Sequence, residues 1–451
     1  MARLFGTDGV RGVANSELTA EFALDLGKAT VSVLSRDTTA KAKILIGKDT
    51  RISSDMLEAA IAAGICSMGA DVVMLGFIPT PAVAYLITLY NADAGIVVSA
   101  SHNPMEFNGI KVLGSMGFKL TDEQEDEIEE SIKKKDFSIP KVGKEIGSIS
   151  FLTNAANDYI EHLVGSVEGS LEGLKVAVDC ANGSAFEVAK RVFDALNIDA
   201  IFSATTPDGI NINDRVGSTH LENISEMTVT NDCDIGIAYD GDADRCIAVD
   251  ENGMEIDGDK IISILAKQMK TEGRLSNNTA VFTVMTNLGT LQYCKDNDID
   301  TVTTAVGDRY VLEEMLRKGY SIGGEQSGHV IILENATTGD GILTSLKFID
   351  CLKKSKQKAS NLVAEIPIYP QVLRMIEANT AQKKYFNENK EVKDYLELMK
   401  DDFSKSGRIL VRSSGTEPVI RVLVEGMNQE EVEEIVESIC NRLIEMLSEV
   451  R

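Results

Sequence analysis

The 451-residue chain has no apolar run approaching the roughly 18 residues that a bilayer-spanning helix needs. Its opening stretch, MARLFGTDGVRG, also lacks the apolar core of a secretion signal, so a soluble, cytoplasmic protein is expected. Paired cysteines are missing too. Cys66, Cys180, Cys233, Cys246, Cys294, Cys351 and Cys440 are scattered singly, odd in number and without a CxxC pair. That pattern argues against a disulfide frame or a zinc site and for reduced, mostly buried thiols. Positive charge is short, with 45 Lys and Arg against 70 Asp and Glu and a net charge of -25. A general nucleic-acid or anionic-membrane surface needs clustered cations and is therefore not expected. An anionic ligand would have to be held by local positive groups.

What is present is ordinary globular material, 43% hydrophobic and 25% charged. The length exceeds what one core usually serves and suggests three or four domains. Residues 20–34, 55–68 and a stretch after Pro81 have helical periodicity, and they alternate with strand-like runs from Ile44, Val72 and Gly95. Strands spaced by helices imply crossover units and a mainly parallel sheet. A charged helix over 121–135 and a polar connection containing Pro140 close this segment, placing a boundary near residue 150. The rhythm restarts with strands at 174–180, 199–204 and 234–239 around a helix at 185–196. A third round has a helix at 260–269, a strand at 280–285, a helix at 309–317 and a strand at 320–324. The last segment differs, with two strand-like runs, RILVRS and VIRVLVEG, followed by a helix over 429–449. It reads as a small α+β domain. The expected divisions are 1–150, 151–254, 255–366 and 367–451.

Four stretches have chemistry to offer. SASHNP, residues 99–104, follows a strongly apolar strand, where open α/β sheets place their ligands. It equally suits a capped turn with solvated hydroxyls. Adjacency of Ser101 and His102 does not make a catalytic triad, because a base must be positioned in space. DGDADR, residues 240–245, sets carboxylates at every second position, and such charges repel unless a cation compensates. Oxygen-only ligands select a hard ion such as Mg²⁺ or Ca²⁺, and the competing reading is a solvated acidic turn. An EF-hand is excluded, because Arg245 occupies the position that needs glycine and the flanks are strand-like. RSSGTEP, residues 412–418, joins a forked cation to hydroxyls at Ser414 and Thr416 around Gly415, a set suited to a phosphate or to a polar hairpin. Arg421 lies nearby, although an exposed strand arginine is equally natural. In GGEQSGH, residues 323–329, Glu325 and Ser327 could meet sugar hydroxyls or simply decorate a glycine turn, and an isolated His329 is more often structural than catalytic.

Taken in order, FGTDGVRG, GKDTR, SASHNP with NGIK ending at Lys111, YDGDADR, VGDRYV, GGEQSGH and RSSGTEP resemble the α-D-phosphohexomutase superfamily over essentially the whole chain, most closely its bacterial phosphoglucosamine mutases. The resemblance implies three mixed α/β domains with layered sheets plus a C-terminal α+β lid domain around a central cleft. It implies a phosphoserine at Ser101, with Asp240, Asp242 and Asp244 holding Mg²⁺ together with that serine's phosphate. Arg11, Lys111 and Arg245 would surround the transferring group, Lys111 as the proton-transfer partner, with His102 and His329 as further catalytic residues. Gly307, Asp308, Arg309, Glu325 and Ser327 would face the sugar, and Arg412, Ser414, Gly415, Thr416 and Arg421 its distant phosphate. The implied reaction interconverts glucosamine 6-phosphate and glucosamine 1-phosphate through a hexosamine 1,6-bisphosphate, feeding UDP-N-acetylglucosamine and cell-wall synthesis. The implied partner is a phosphorylated amino sugar, and a homodimer is allowed. Competing readings are a glucose or mannose phosphate mutase, a Mg²⁺-dependent sugar phosphatase and a noncatalytic Ca²⁺ module.

Overall fold

The computed structural model describes residues 3–6, 8–34, 41–137, 139–404, 406–414, 418–448 and 450. Its strands form four sheets. The first sheet contains β1 (Val10–Val13), β2 (Lys43–Lys48), β3 (Asp71–Phe77), β4 (Ala94–Val98), β5 (Phe107–Gly114) and β6 (Ile149–Phe151), in the spatial order β1-β5-β4-β2-β3-β6. β2 runs parallel to β3 and β4, as the helix-spaced strands imply, and β6 extends that parallel set. β5 is antiparallel to both β4 and β1, so the expected, mainly parallel sheet carries an antiparallel edge. The physical reason lies in the short link between β4 and β5. Eight residues cannot supply the crossover that a parallel return requires.

The second sheet is built of β7 (Lys175–Asp179), β8 (Asp199–Ser203), β9 (Ile235–Tyr239), β10 (Cys246–Asp250) and β11 (Glu255–Ile256). A third holds β12 (Thr279–Thr283), β13 (Asp300–Thr304), β14 (Ile322–Gly324) and β15 (Val330–Ile332). Each again combines a parallel half with an antiparallel edge. The fourth sheet, of β16 (Gln371–Glu377), β17 (Gly407–Ser413) and β18 (Val419–Gly426), is wholly antiparallel. The chain is therefore α/β throughout its first three sheets and α+β in its last.

Burial explains these choices. β4, β9 and β12 are buried at every position, which suits near-continuous runs such as AGIVV and IGIAY covered by helices on both faces. The helix Asp122–Lys134 shows the opposite logic. Thr121 and Gln124 close a capping box, three carboxylates occupy its first turn, and Lys133 and Lys134 its last. Only a narrow stripe carrying Ile128 and Ile132 is buried apolar surface.

The described residues divide into two compact units. One comprises residues 1–285 and 297–365, and the other residues 286–296 and 366–451. No helix among the described residues is long and apolar enough to cross a membrane.

Candidate active site

Three carboxyl-terminal strand ends in the larger unit carry the chemistry. Ser101 lies just beyond β4, Asp240 directly follows β9, and Glu325 directly follows β14. These are the positions at which the sheets present unsatisfied backbone and side chains to a ligand.

The segment 240–245 crosses between the antiparallel strands β9 and β10, and it is tied down along its length. Asp240 O accepts from Ala243 N (3.1 Å), Gly241 O from Ser184 N (2.8 Å), Asp242 O from Thr80 N (3.0 Å) and Ala243 O from Gly341 N (2.9 Å). Glycine is required at 241, because a Cβ there would stand 2.6 Å from Ser101 O. That close approach lets the Ser101 hydroxyl donate to Asp240 Oδ2 at 2.5 Å. His102 Nδ1 lies 3.3 Å from the same hydroxyl.

Lys111, on β5, points into the acidic loop. Its Nζ is 2.8 Å from Asp242 Oδ2, 2.9 Å from Asp244 Oδ2 and 3.0 Å from Asp8 Oδ2. Arg11, on β1, pairs with Asp8 and donates to Asn103 Oδ1 at 3.2 Å. Arg245 Nε is 3.8 Å from Asp244 Oδ1. Lys119 bridges Asp8 Oδ1 (2.8 Å) to Asp308 Oδ2, and His329 Nε2 stands 3.5 Å from that same Asp308 oxygen. Glu325 accepts from Gly307 N at 2.9 Å, whereas Ser327 is exposed on the turn closed by Gly328 N and Glu325 O.

Arg309 departs from its expected place on the sugar. Its guanidinium donates to Glu125, the Leu120 carbonyl and Glu313, and pairs with Asp122 at 3.0 Å. It fastens the helix Asp308–Lys318 to the start of the helix Asp122–Lys134.

Electrostatics follow from this crowding. Burial, then the charges of Asp244 and Asp242, push the Asp240 carboxyl well above the usual range. Burial acts the same way on Asp244 and Asp8, but Lys111 outweighs it with help from other cations, and both stay below the usual range. Desolvation disfavours the Lys111 ammonium, yet Asp242, Asp244 and Asp8 raise it well above an ordinary lysine. Burial, reinforced by Arg245 and Arg11, lowers His102 to about 4, so its imidazole is neutral at physiological pH.

The donor set fits a hard cation. Asp240, Asp242 and Asp244 each offer an oxygen within 4.8 Å of the others, all three are buried, and oxygen ligands of this kind are those of Mg²⁺ or Ca²⁺. Among the described residues, Asp242 Oδ1 and Asp244 Oδ1 are buried with no hydrogen-bond partner. An acceptor left without a donor at zero exposure is costly, and a metal ion would satisfy it.

The smaller unit carries a second positive feature. Arg412 on β17 and Arg421 on β18 are direct register partners, and Lys383 Nζ donates to Ser414 O at 2.5 Å. Gly415 and Thr416 lie outside the described residues.

Several residues in this arrangement were not singled out from sequence. Asp8 and the Asp49-Thr50-Arg51 run sit inside recognisable motifs, whereas Lys119, Thr80 and Asn213 have no local signal and are found only through contacts distant in sequence.

Models of four consecutive domains match the chain. They are described as phosphoglucomutase/phosphomannomutase alpha/beta/alpha domains I, II and III and C-terminal domain, over residues 2–139, 157–253, 257–369 and 375–442. A phosphoglucosamine mutase of Acetivibrio thermocellus is 48% identical over 449 residues, covering 98% of this chain and 100% of its own. Another, of Ruminiclostridium cellulolyticum, is 50% identical over 431 residues, with 95% and 96% covered. Among solved structures, a Burkholderia thailandensis phosphoglucomutase/phosphomannomutase family protein superposes with a TM-score of 0.82 at 23% identity, covering 99% and 98%. An Aspergillus fumigatus N-acetylphosphoglucosamine mutase in complex with GlcNAc-6P and magnesium gives 0.68 at 17%, covering 98% and 96%.

Proposed function

The chain belongs to the phosphoglucomutase/phosphomannomutase family, among its phosphoglucosamine mutases, and on that premise we propose that a phosphate carried on Ser101 interconverts glucosamine 6-phosphate and glucosamine 1-phosphate. It is an isomerase of the phosphomutase type. The observation that carries the serine assignment is the 2.5 Å contact between Ser101 Oγ and Asp240, inside a buried cluster of alternating carboxylates and cations.

Phosphoryl transfer asks for positioning and charge neutralisation more than covalent help. Asp240, Asp242 and Asp244 would hold Mg²⁺, the metal in the Aspergillus complex, which would neutralise negative charge during phosphoryl transfer. In the forward direction the bond from phosphorus to Ser101 Oγ breaks while a bond to the sugar O1 forms. The O1 proton leaves, the serine oxygen gains one, and a hexosamine 1,6-bisphosphate results. Lys111, held as an ammonium ion by three carboxylates, serves proton transfer on the donating side. Neutral His102 can accept the hydrogen bond of the Ser101 hydroxyl. Arg11 and Arg245 add positive charge, each with a buried Nε that has no hydrogen-bond partner among the described residues. The bisphosphate then turns end over end and returns its 6-phosphate to Ser101.

Glu325, Ser327, Gly307, Asp308 and His329 form the sugar-facing group, with Asp308 and His329 linked through Lys119 to Asp8. Arg412, Arg421 and Ser414, with Gly415 and Thr416, receive the phosphate that is not reacting. The test is conversion of glucosamine 6-phosphate by the purified chain with Mg²⁺ and a trace of hexose 1,6-bisphosphate, followed by phosphorus NMR. Glucosamine 1-phosphate is expected. Net release of inorganic phosphate would refute a mutase, and faster turnover of glucose 6-phosphate would refute the glucosamine preference.

A further inference from the structure

Ser101 adopts φ 53°, in the left-handed region that non-glycine residues seldom enter and that persists only where surrounding structure over-determines it. Two side chains from distant parts of the chain supply that constraint. Arg51 is wholly buried, and its guanidinium spreads over four carbonyls of the serine loop. Nη2 donates to Ser101 O at 2.9 Å and to Asn103 O at 2.8 Å, while Nη1 donates to Phe107 O at 3.0 Å and to Pro104 O. Asn213 Nδ2, from the loop beyond β8, donates to the same two carbonyls, Ser101 O at 2.9 Å and Asn103 O at 3.1 Å.

The amide side of the serine is held from the same root. Ser101 N donates to Ser99 Oγ at 2.9 Å, Ser99 Oγ donates to Asp49 Oδ2 at 2.6 Å, and Arg51 Nε donates to that carboxylate oxygen at 2.8 Å. Asp49 Oδ1 in turn accepts from Arg51 N at 3.0 Å and from Ser54 Oγ at 3.0 Å.

We propose that Arg51 and Asn213 are positioning residues for phosphoryl transfer, fixing the backbone of Ser101 so that its Oγ faces Asp240. The proposal rests on the reading that Ser101 carries the phosphate. Such a serine alternates between a hydroxyl and a group bearing about −2 charge, and a loosely held loop would readjust at each exchange. Arg51 and Asn213 grip main-chain carbonyls and leave the serine side chain free. Their hold is therefore the same in both forms. Only a planar fork with five donors can span four carbonyls and a carboxylate at once, which an ammonium group cannot do.

The experiment compares full-length Asn213→Ala, Arg51→Lys and Ser101→Ala with the parent chain. It measures kcat and KM for glucosamine 6-phosphate, loading of phosphate on residue 101 by mass spectrometry after incubation with hexose 1,6-bisphosphate, and melting temperature. Because misplacement by about 1 Å costs ~100-fold, Asn213→Ala should lose at least ~10-fold in kcat and in loading rate, and Arg51→Lys more. KM should stay within about twofold, because neither residue is placed on the sugar or its distant phosphate. A merely structural role would lower the melting temperature and leave turnover per folded molecule intact. If Arg51→Lys fails to fold, Asn213→Ala decides. An Asn213→Ala chain with parental kcat and loading, beside an inactive Ser101→Ala, would overturn the positioning role alone. Turnover by Ser101→Ala would overturn the phosphoserine reading, and the positioning role with it.

Discussion

Arg412 and Arg421 face each other directly across β17 and β18, two guanidinium-bearing side chains on one face of an antiparallel pair. Like charges directly opposite are destabilising, and the phosphate proposed to bind here would offset the repulsion. Replacing Arg421 by Gln should raise KM for the sugar phosphate by about tenfold or more, with a smaller effect on kcat. Inorganic phosphate should raise the melting temperature of the parent and do so less in the variant. An unaltered KM would remove Arg421 from phosphate binding.

The aspartate trio trades stability against metal binding. Asp240→Asn removes one of three crowded carboxylates, one whose ionisation is opposed by burial and by its neighbours. Without metal the variant should melt at or above the parent. Magnesium should stabilise the parent by mass action and have little effect on the variant, whose turnover should fall ~100-fold or more. Thermal melts with and without chelator, beside steady-state rates, check both halves.

Asp340 couples stability to pH. Its carboxylate caps the helix Gly341–Ser355 through Leu343 N at 2.9 Å and accepts from Tyr159 at 2.8 Å, yet burial raises it to about 6. Folding therefore gains from the protonated form. The gain is complete below the ordinary value of 3.8 and is lost as pH rises through about 6. A shift of this size corresponds to roughly 3 kcal/mol. Asp340→Asn keeps an acceptor for the cap and stays neutral, so its stability relative to the parent should increase from pH 4 to pH 7 in urea titrations. A constant difference over that range would refute the assignment.

His102 should titrate near 4 and not near the ordinary 6.5, since burial and two arginines oppose its charge. Below pH 6.5 the unfolded chain takes up a proton that the folded chain refuses, so this group weakens folding as pH falls toward 4. An imidazole NMR titration midpoint above 6 would contradict the neutral state proposed for it.

Much of this site was legible locally. Apolar strands ending at a serine and at an acidic loop announce β4 and β9 with their cargo, and β17 and β18 carry Arg412, which opens RSSGTEP, and Arg421, which follows it. What escaped was long-range. NGIK read as a motif, while the structure makes it part of an antiparallel strand, because Asn108 and Gly109 weaken the local strand signal. Arg309 looked like a sugar contact until the fold brought Glu125, 184 positions away, to its guanidinium. Lys119 meets Asp308 across 189 positions, and Asn213 reaches Ser101 across 112. No periodicity or spacing encodes such pairings, since they depend on how separate sheets come together.

The smaller unit is assembled from two separated pieces of chain. The helix Leu288–Asp296 belongs with residues 366–451, and the pieces are joined by Leu288 N donating to Glu425 at 2.7 Å, Arg408 to the Thr286 carbonyl, and Asn287 to Tyr369 O at 3.0 Å. A ribosome delivers that helix long before its partners exist, and residues 297–365 emerge and join the other unit in the interval. No single cut in the gene yields the smaller unit intact. A fragment beginning at residue 366 would leave fully buried Glu425 without its Leu288 donor.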